Sequence, residues 1–158
     1  LAPSRNSQVI LVVPVVSRVA IIGASRVSIE ELSGAEASLS IAGSGDVTAA
    51  VQSPKLECEI AGSGTIRVSG SAQTVEISIA GAGDVSTNEI AADTVSIDIA
   101  GSGTVHTHAS KSLDLSIAGS GDVTNSGQPQ IDQSIAGSGT IKASSNPPPQ
   151  TAEKAEQL

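Results

Sequence analysis

The sequence predicts an all-β chain wound into a parallel β-helix of about seven coils, each of 18–20 residues. Three observations carry this. The segment Ile-Ala-Gly-Ser-Gly-Asp-Val at 41–47 returns at Ile60, Ile79, Ile99, Ile117 and Ile135, with successive gaps of 19, 19, 20, 18 and 18 residues. A period near 20 is too short for an independent domain and suits one turn of a solenoid, whose coils bury their apolar edges against one another. Within the copies, apolar and polar residues alternate, as in Leu56, Cys58, Ile60, Gly62, Gly64, Ile66 and Val68, and again in Val75, Ile77, Ile79 and in Val95, Ile97, Ile99. That is the period-2 mark of strands with one buried face. Finally, 39% of residues are hydrophobic yet aromatic residues and Met are absent. A globular core needs rings to fill irregular space, whereas a thin tube lined by ranks of Val, Ile and Leu does not. Sixteen glycines and the β-branched content also disfavour helix.

The elements follow in order. Residues 1–20 are expected to form an N-terminal leading strand and cap, with Val9, Leu11, Val13 and Val15 alternating. The apolar run from Val9 to Val16, with Arg5 ahead of it, has the outline of a signal peptide. Pro14 and the lack of a small-x-small cleavage pattern at Ser17–Ala20 favour a strand instead. The chain opens on Leu1 rather than Met, so an upstream segment is expected to have been removed. A worn copy, Ile21-Ile22-Gly23-Ala24-Ser25-Arg26-Val27, stands 20 residues before Ile41 and makes the seventh coil. The β-helix is thus expected over 21–143, a rod roughly 30–35 Å long at about 4.8 Å per coil. Beyond it, Pro147, Pro148 and Pro149 cannot donate to a ladder, and 144–158 is expected to be a Pro-rich flexible tail.

Both glycines of each motif fall on the inward parity: Gly43 and Gly45, Gly62 and Gly64, Gly81 and Gly83, Gly101 and Gly103, Gly119 and Gly121, Gly137 and Gly139. A corner of a narrow tube leaves little room for a side chain, and glycine accepts dihedrals that other residues avoid. These are read as structural corner residues. A phosphate-cradling loop would need a following helix N-terminus and usually a Lys, and here a strand follows.

Aligned coil on coil, Asp46, Thr65, Asp84, Thr104, Asp122 and Thr140 form one outward column, in which Asp and Thr alternate. Two residues later stand Thr48, Arg67, Ser86, His106, Thr124 and Lys142, with the ionisable or basic residue only where Asp is missing. Thr spacers double the distance between like charges, and diagonal pairs of Asp46 with Arg67, Asp84 with His106 and Asp122 with Lys142 become accessible. Glu57, Glu59, Glu76, Asp98, Asp114 and Asp132 fill a second, more acidic pair of columns. This face reads first as a solvated surface that keeps a sticky rod soluble, and second as a weak Ca²⁺ site; no cofactor is expected.

Other chemistry is thin. His106 and His108 lack a third zinc ligand nearby, because Cys58, the one cysteine, has core parity. No Gly-x-Ser-x-Gly elbow in a strand-to-helix setting appears, so catalytic residues are not assigned and no enzyme is expected. A net charge of −8 repels phosphate backbones, which argues against nucleic acid. No apolar run is long enough to span a membrane as a helix.

The stretch 110–142 carries Leu113-Asp114-Leu115-Ser116-Ile117-Ala118-Gly119-Ser120-Gly121-Asp122-Val123, the element Ser126-Gly127-Gln128-Pro129, and Ser134-Ile135-Ala136-Gly137-Ser138-Gly139-Thr140-Ile141-Lys142. With six such motifs in register, residues 20–142 resemble the bacterial head GIN domain family, the heads of auto-transporter adhesins. The resemblance implies a right-handed parallel β-helix, exported to the bacterial envelope, with an adhesive or scaffolding role and no established catalytic residues. Two departures stand out. Asn125 replaces an aromatic common in this family and is expected to mark a lost surface contact, and Ala precedes the first Gly of every motif.

The expectation is therefore a non-enzymatic, exported β-solenoid, periplasmic, outer-surface or extracellular. It would serve as a structural or adhesion-like module for an envelope or surface partner. Self-association into oligomers or filaments is part of that expectation, and a glycan-binding or glycan-cleaving β-helix is the alternative.

Overall fold

A computed structural model describes the backbone of residues 8–12 and the backbone and side chains of residues 18–143. Within these residues the chain forms β1 (Gln8–Val12), β2 (Arg18–Gly23), β3 (Arg26–Ser33), β4 (Glu36–Gly43), β5 (Asp46–Gln52), β6 (Lys55–Gly62) and β7 (Thr65–Ser71). It continues through β8 (Thr74–Gly81), β9 (Asp84–Gly101), β10 (Thr104–Thr107), β11 (Ala109–Gly119), β12 (Asp122–Asn125), β13 (Gln130–Gly137) and β14 (Thr140–Ala143). No helix occurs among them.

Every pairing is parallel and joins a strand to its counterpart one coil away. Sheet one contains β1, β3, β5, β7, the first half of β9, β10, β12 and β14. Sheet two contains β2, β4, β6, β8, the second half of β9, β11 and β13. The result is a two-sheet solenoid of about seven turns. Stacking starts before residue 21, since β1 is already a rung beside β3 and Arg18–Ala20 belong to β2. The side chains of Val9 and Leu11, the residues Val13 and Val15, and the tail 144–158 lie outside the described side chains.

Register stacks like on like. Ile21, Ile41, Ile60, Ile79, Ile99, Ile117 and Ile135 form one inward column of sheet two. Val27, Val47, Ile66, Val85, Val105, Val123 and Ile141 face them from sheet one. Together these columns make one continuous aliphatic core in which most side chains are buried completely. A slip of one residue would turn each column out to water, so the alternation fixes the register.

The Gly-Ser-Gly segment joins each sheet-two strand to the next sheet-one strand, and the ladder continues through it. Ser63 N–H donates to the Gly43 carbonyl at 2.9 Å and Thr65 N–H to the Gly45 carbonyl at 2.9 Å, and the same two bonds recur coil after coil. The two glycines serve different ends, which corrects the reading that places both inward. Gly62, the first of its pair, has φ of +136° and is not buried; a Cβ there would strike the Gly43 carbonyl below. Gly64, the second, has ordinary dihedrals and is buried, and its Cβ would lie 2.8 Å from Ile41 Cγ2. The first glycine is required by backbone conformation and stacking, the second by space against the isoleucine column.

One inward column changes character along the stack. Ile29, Ala49 and Val68 give way to Thr87, Thr107 and Asn125, all buried. Asn125 is therefore not the mark of a lost surface contact. Its Oδ1 accepts from the Ala109 N–H at 2.7 Å and its Nδ2 donates to the Gly127 carbonyl at 3.1 Å. The side chain stands in for a backbone rung where the chain leaves the ladder at Ser126-Gly127-Gln128-Pro129.

Candidate functional site

With the interior filled, chemistry is confined to the outer faces. Sheet two presents Glu36, Glu57, Glu59, Glu76, Asp93, Asp98, Asp114 and Asp132, against Arg18, Lys55 and Lys111. Parallel register sets Glu57 beside Glu76 and Asp114 beside Asp132. Lys55 relieves one end of this face: its Nζ lies 2.6 Å from Glu76 and 3.7 Å from Glu36. The hydrogen bond to Glu76, with that carboxylate's charge, holds the Lys55 proton above the usual lysine range. Toward the other end, Asp98, Asp114 and Asp132 line a shallow depression of about 310 Å³ with Ser96, Ser116 and Ser134. Among the described residues no three His, Cys, Asp or Glu side chains converge closely enough to hold a metal ion.

Sheet one carries Glu30, Glu31, Asp46, Asp84, Glu89 and Asp122 against Arg26, Arg67 and Lys142. Asp46, Thr65, Asp84, Thr104, Asp122 and Thr140 stand in one column, and Thr48, Arg67, Ser86, His106, Thr124 and Lys142 in the next. The first column begins one coil earlier, at Arg26, directly beside Asp46. Asp46 pairs with that Arg26 at 3.4 Å. The diagonal pairs of Asp46 with Arg67, Asp84 with His106 and Asp122 with Lys142 are not formed among the described residues. Diagonal neighbours in a sheet are about 7–8 Å apart, and a direct neighbour in the same column wins. Sequence reasoning missed Arg26 and Lys55 as pairing residues, although the same column alignment, carried one coil further back, points to Arg26.

The edge where sheet one returns to sheet two carries the remaining polar features. Lys111 reaches Asp93 at 2.8 Å, and this bond, helped by the Ser110 hydroxyl, holds the Asp93 carboxyl below its usual range. Beside it lies a depression of about 420 Å³, lined by Gln52, Ser53, Ser71, Gln73 and Asp93 around Pro54 and Ala72. The Ser53 hydroxyl is buried with no protein partner. His108 Nδ1 lies 3.0 Å from the Ser126 hydroxyl, whereas His106 stays in the sheet-one column. Cys58 is buried in the core, and burial together with the charge of Glu57 pushes its thiol up to about 12. No helix among the described residues is long and apolar enough to cross a membrane.

The filled core of this solenoid leaves its outer faces as the surfaces open to a ligand or partner. The family model described as "Putative auto-transporter adhesin, head GIN domain" matches residues 1–129, and the chain belongs to that family. No curated relative matches. Among solved structures the chain is similar to a "putative lipid binding protein" from Parabacteroides distasonis, at 29% identity and a TM-score of 0.70. The match covers 87% of this chain and 56% of that one, so this chain spans little more than half its length.

Proposed function

We propose that this chain is a non-enzymatic interaction module at the bacterial envelope that engages partners through its rigid outer faces. The observation that carries the reading is the partition of charge. Eight carboxylates against three basic groups crowd sheet two, whereas Glu30, Glu31, Asp46, Asp84, Glu89 and Asp122 stand against Arg26, Arg67 and Lys142 on sheet one, so the acidic excess is greater on sheet two. Like charges on adjacent rungs oppose folding, so a face that keeps them is suited to meeting a basic surface on a partner. Membership in the adhesin head family supports export and a surface setting. The name of the similar Parabacteroides protein raises lipid as a ligand class. Here the space between the sheets is filled by Ile, Leu and Val, so a lipid would have to meet an outer face.

The test has two parts. Antibody labelling of intact cells and fractionation should place the protein outside the cytoplasm. Adhesion of purified protein to cationic and anionic surfaces should favour the cationic ones and fall when Glu57, Glu76, Asp98 and Asp114 are changed to Gln or Asn. Cytoplasmic location, or adhesion indifferent to that neutralisation, overturns the reading.

A second reading rests on Ser53. A buried hydroxyl without a protein partner, beside Gln52, Gln73 and Ser71 at an open depression, suits a ligand rich in hydroxyl groups such as a glycan. A glycan array probed with the natural chain and with Gln73→Ala tests it. A hit abolished by the substitution favours this reading, and an empty array rejects it.

A further inference from the structure

The two ends of the stack differ. At the first rung of sheet two Ile21 is 7% exposed and Val19 packs against the core. At the last rung every residue of β13 is exposed, with Ile131 at 39% and Ile135 at 38%, although both stand in inward columns. Within the described residues β13 pairs with β11 alone. Its other edge therefore offers open N–H and C=O groups along an apolar rim, a template for a further strand.

We propose that this edge is the interface of a two-fold symmetric dimer, in which β13 pairs antiparallel with β13 of a second copy and Gln133 lies on the axis. In the stretch Ile131-Asp132-Gln133-Ser134-Ile135 the apolar and polar positions are symmetric about Gln133, with an isoleucine at each end. Antiparallel pairing centred there sets Ile131 opposite the partner subunit's Ile135, and Asp132 opposite the partner subunit's Ser134, each twice by symmetry. Centring on Asp132 would bring two carboxylates face to face and set Ile131 against Gln133, and centring on Ser134 would set Gln133 against Ile135. With Gln133 on the axis, the inward column of each copy runs into that of the other and the two cores join.

Gln133 supports the same geometry. Its column reads Val19, Leu39, Cys58, Ile77, Ile97, Leu115 and then Gln133, the one polar member, at the open end. An amide both donates and accepts, so it can bond its own copy across an axis, and a single polar residue in an apolar seam fixes register. Head-to-tail stacking would set the apolar rim of β13 against a first coil whose inward Ile21 is already buried and would leave Gln133 without its own copy opposite, although β2 likewise pairs on one side alone, with β4, among the described residues. An isologous contact closes on itself, which makes a dimer rather than a filament. Of the acidic face the inference uses Asp132, which the adhesion test leaves unchanged, and it does not use the Ser53 edge, so it stands apart from both readings of function.

The test is sedimentation of the full chain over a concentration series. The expected species at high concentration has twice the 15.5 kDa chain mass. Ser134→Asp opposes the partner subunit's Asp132 on both sides of the axis and should weaken association about tenfold, and adding Asp132→Lys should restore it. Both positions are exposed, and circular dichroism checks that the fold is kept. Under mild oxidation Gln133→Cys should give a disulfide-linked dimer and Ile131→Cys should not, Cys58 being buried. A lone chain at every concentration, an open-ended polymer, a dimer indifferent to Ser134→Asp, or equal cross-linking at both positions overturns the proposal.

Discussion

The hydroxyls of Thr87 and Thr107 lie 3.1 Å apart, one coil above the other, buried in a column that is aliphatic at Ile29, Ala49 and Val68. Thr87 also lies 3.4 Å from the His106 carbonyl, so its proton has a second acceptor. Thr107→Val should cost no more than about 1 kcal/mol, because Thr87 can turn to that carbonyl. Changing both to Val should restore most of the loss, since no hydroxyl then stays buried. Urea denaturation of the two single variants and the double variant measures this, and strictly additive losses would refute the pairing.

Asn125 replaces a missing backbone rung, and its loss should be dearer. Asn125→Ala leaves the Ala109 N–H buried without an acceptor and should destabilise by about 1–3 kcal/mol. Amide hydrogen exchange at Ala109 should rise with it; unchanged exchange would mean that another acceptor had taken over.

The glycine pairs predict a graded series. At Gly62 a Cβ meets both a positive φ and the carbonyl of Gly43, so Gly62→Ala should fail to fold or lose well over about 3 kcal/mol. Gly23→Ala shares the conformational penalty at φ +102° but meets nothing within 4 Å, so it should lose about 1–2 kcal/mol. Equal midpoints for the two variants in thermal melting would show that stacking is not the constraint.

Cys58 should be unreactive to thiol reagents at pH 8 in the folded chain and react at once in denaturant. Its thiol is raised to about 12, whereas the unfolded chain ionises near 9.0. The folded state thus holds the proton that the unfolded state releases. This share of stability is intact below pH 9 and declines as pH rises toward 12. Cys58→Ala should remove that alkaline slope, although the cavity lowers stability throughout.

Lys55 serves Glu76 and Glu36 together. Lys55→Gln should lower the melting temperature in dilute buffer and by much less in 1 M salt, because the contact is screened. The raised lysine value sets the sign: the contribution is complete below the ordinary lysine range and fades as pH climbs through the shifted value.

The coils are legible because one motif occurs six times and carries its parity with it, so that Ile41, Ile60 and Ile79 have to stack. The same parity, carried past Val85, Val105 and Val123 by two residues, would have found Thr87, Thr107 and Asn125. It was obscured because polar letters in a strand suggest water. For Asn125 the family resemblance points to a surface contact, and the rung it replaces is visible only once the chain path through Gly127 is known. Ion pairing was least legible. Whether Asp46 meets Arg26 or Arg67 depends on an ångström-scale choice between direct and diagonal neighbours that spacing alone does not make.

The bond from Ser63 N–H to the Gly43 carbonyl is remade between Ala82 and Gly62, Ser102 and Gly81, Ser120 and Gly101, and Ser138 and Gly119. The joint is then the same from coil to coil, and height becomes a matter of copy number. Because Asp and Thr take alternate turns, the natural increment is a pair. Adding or removing such a pair would alter how far the protein reaches while leaving the repeated joints as they were.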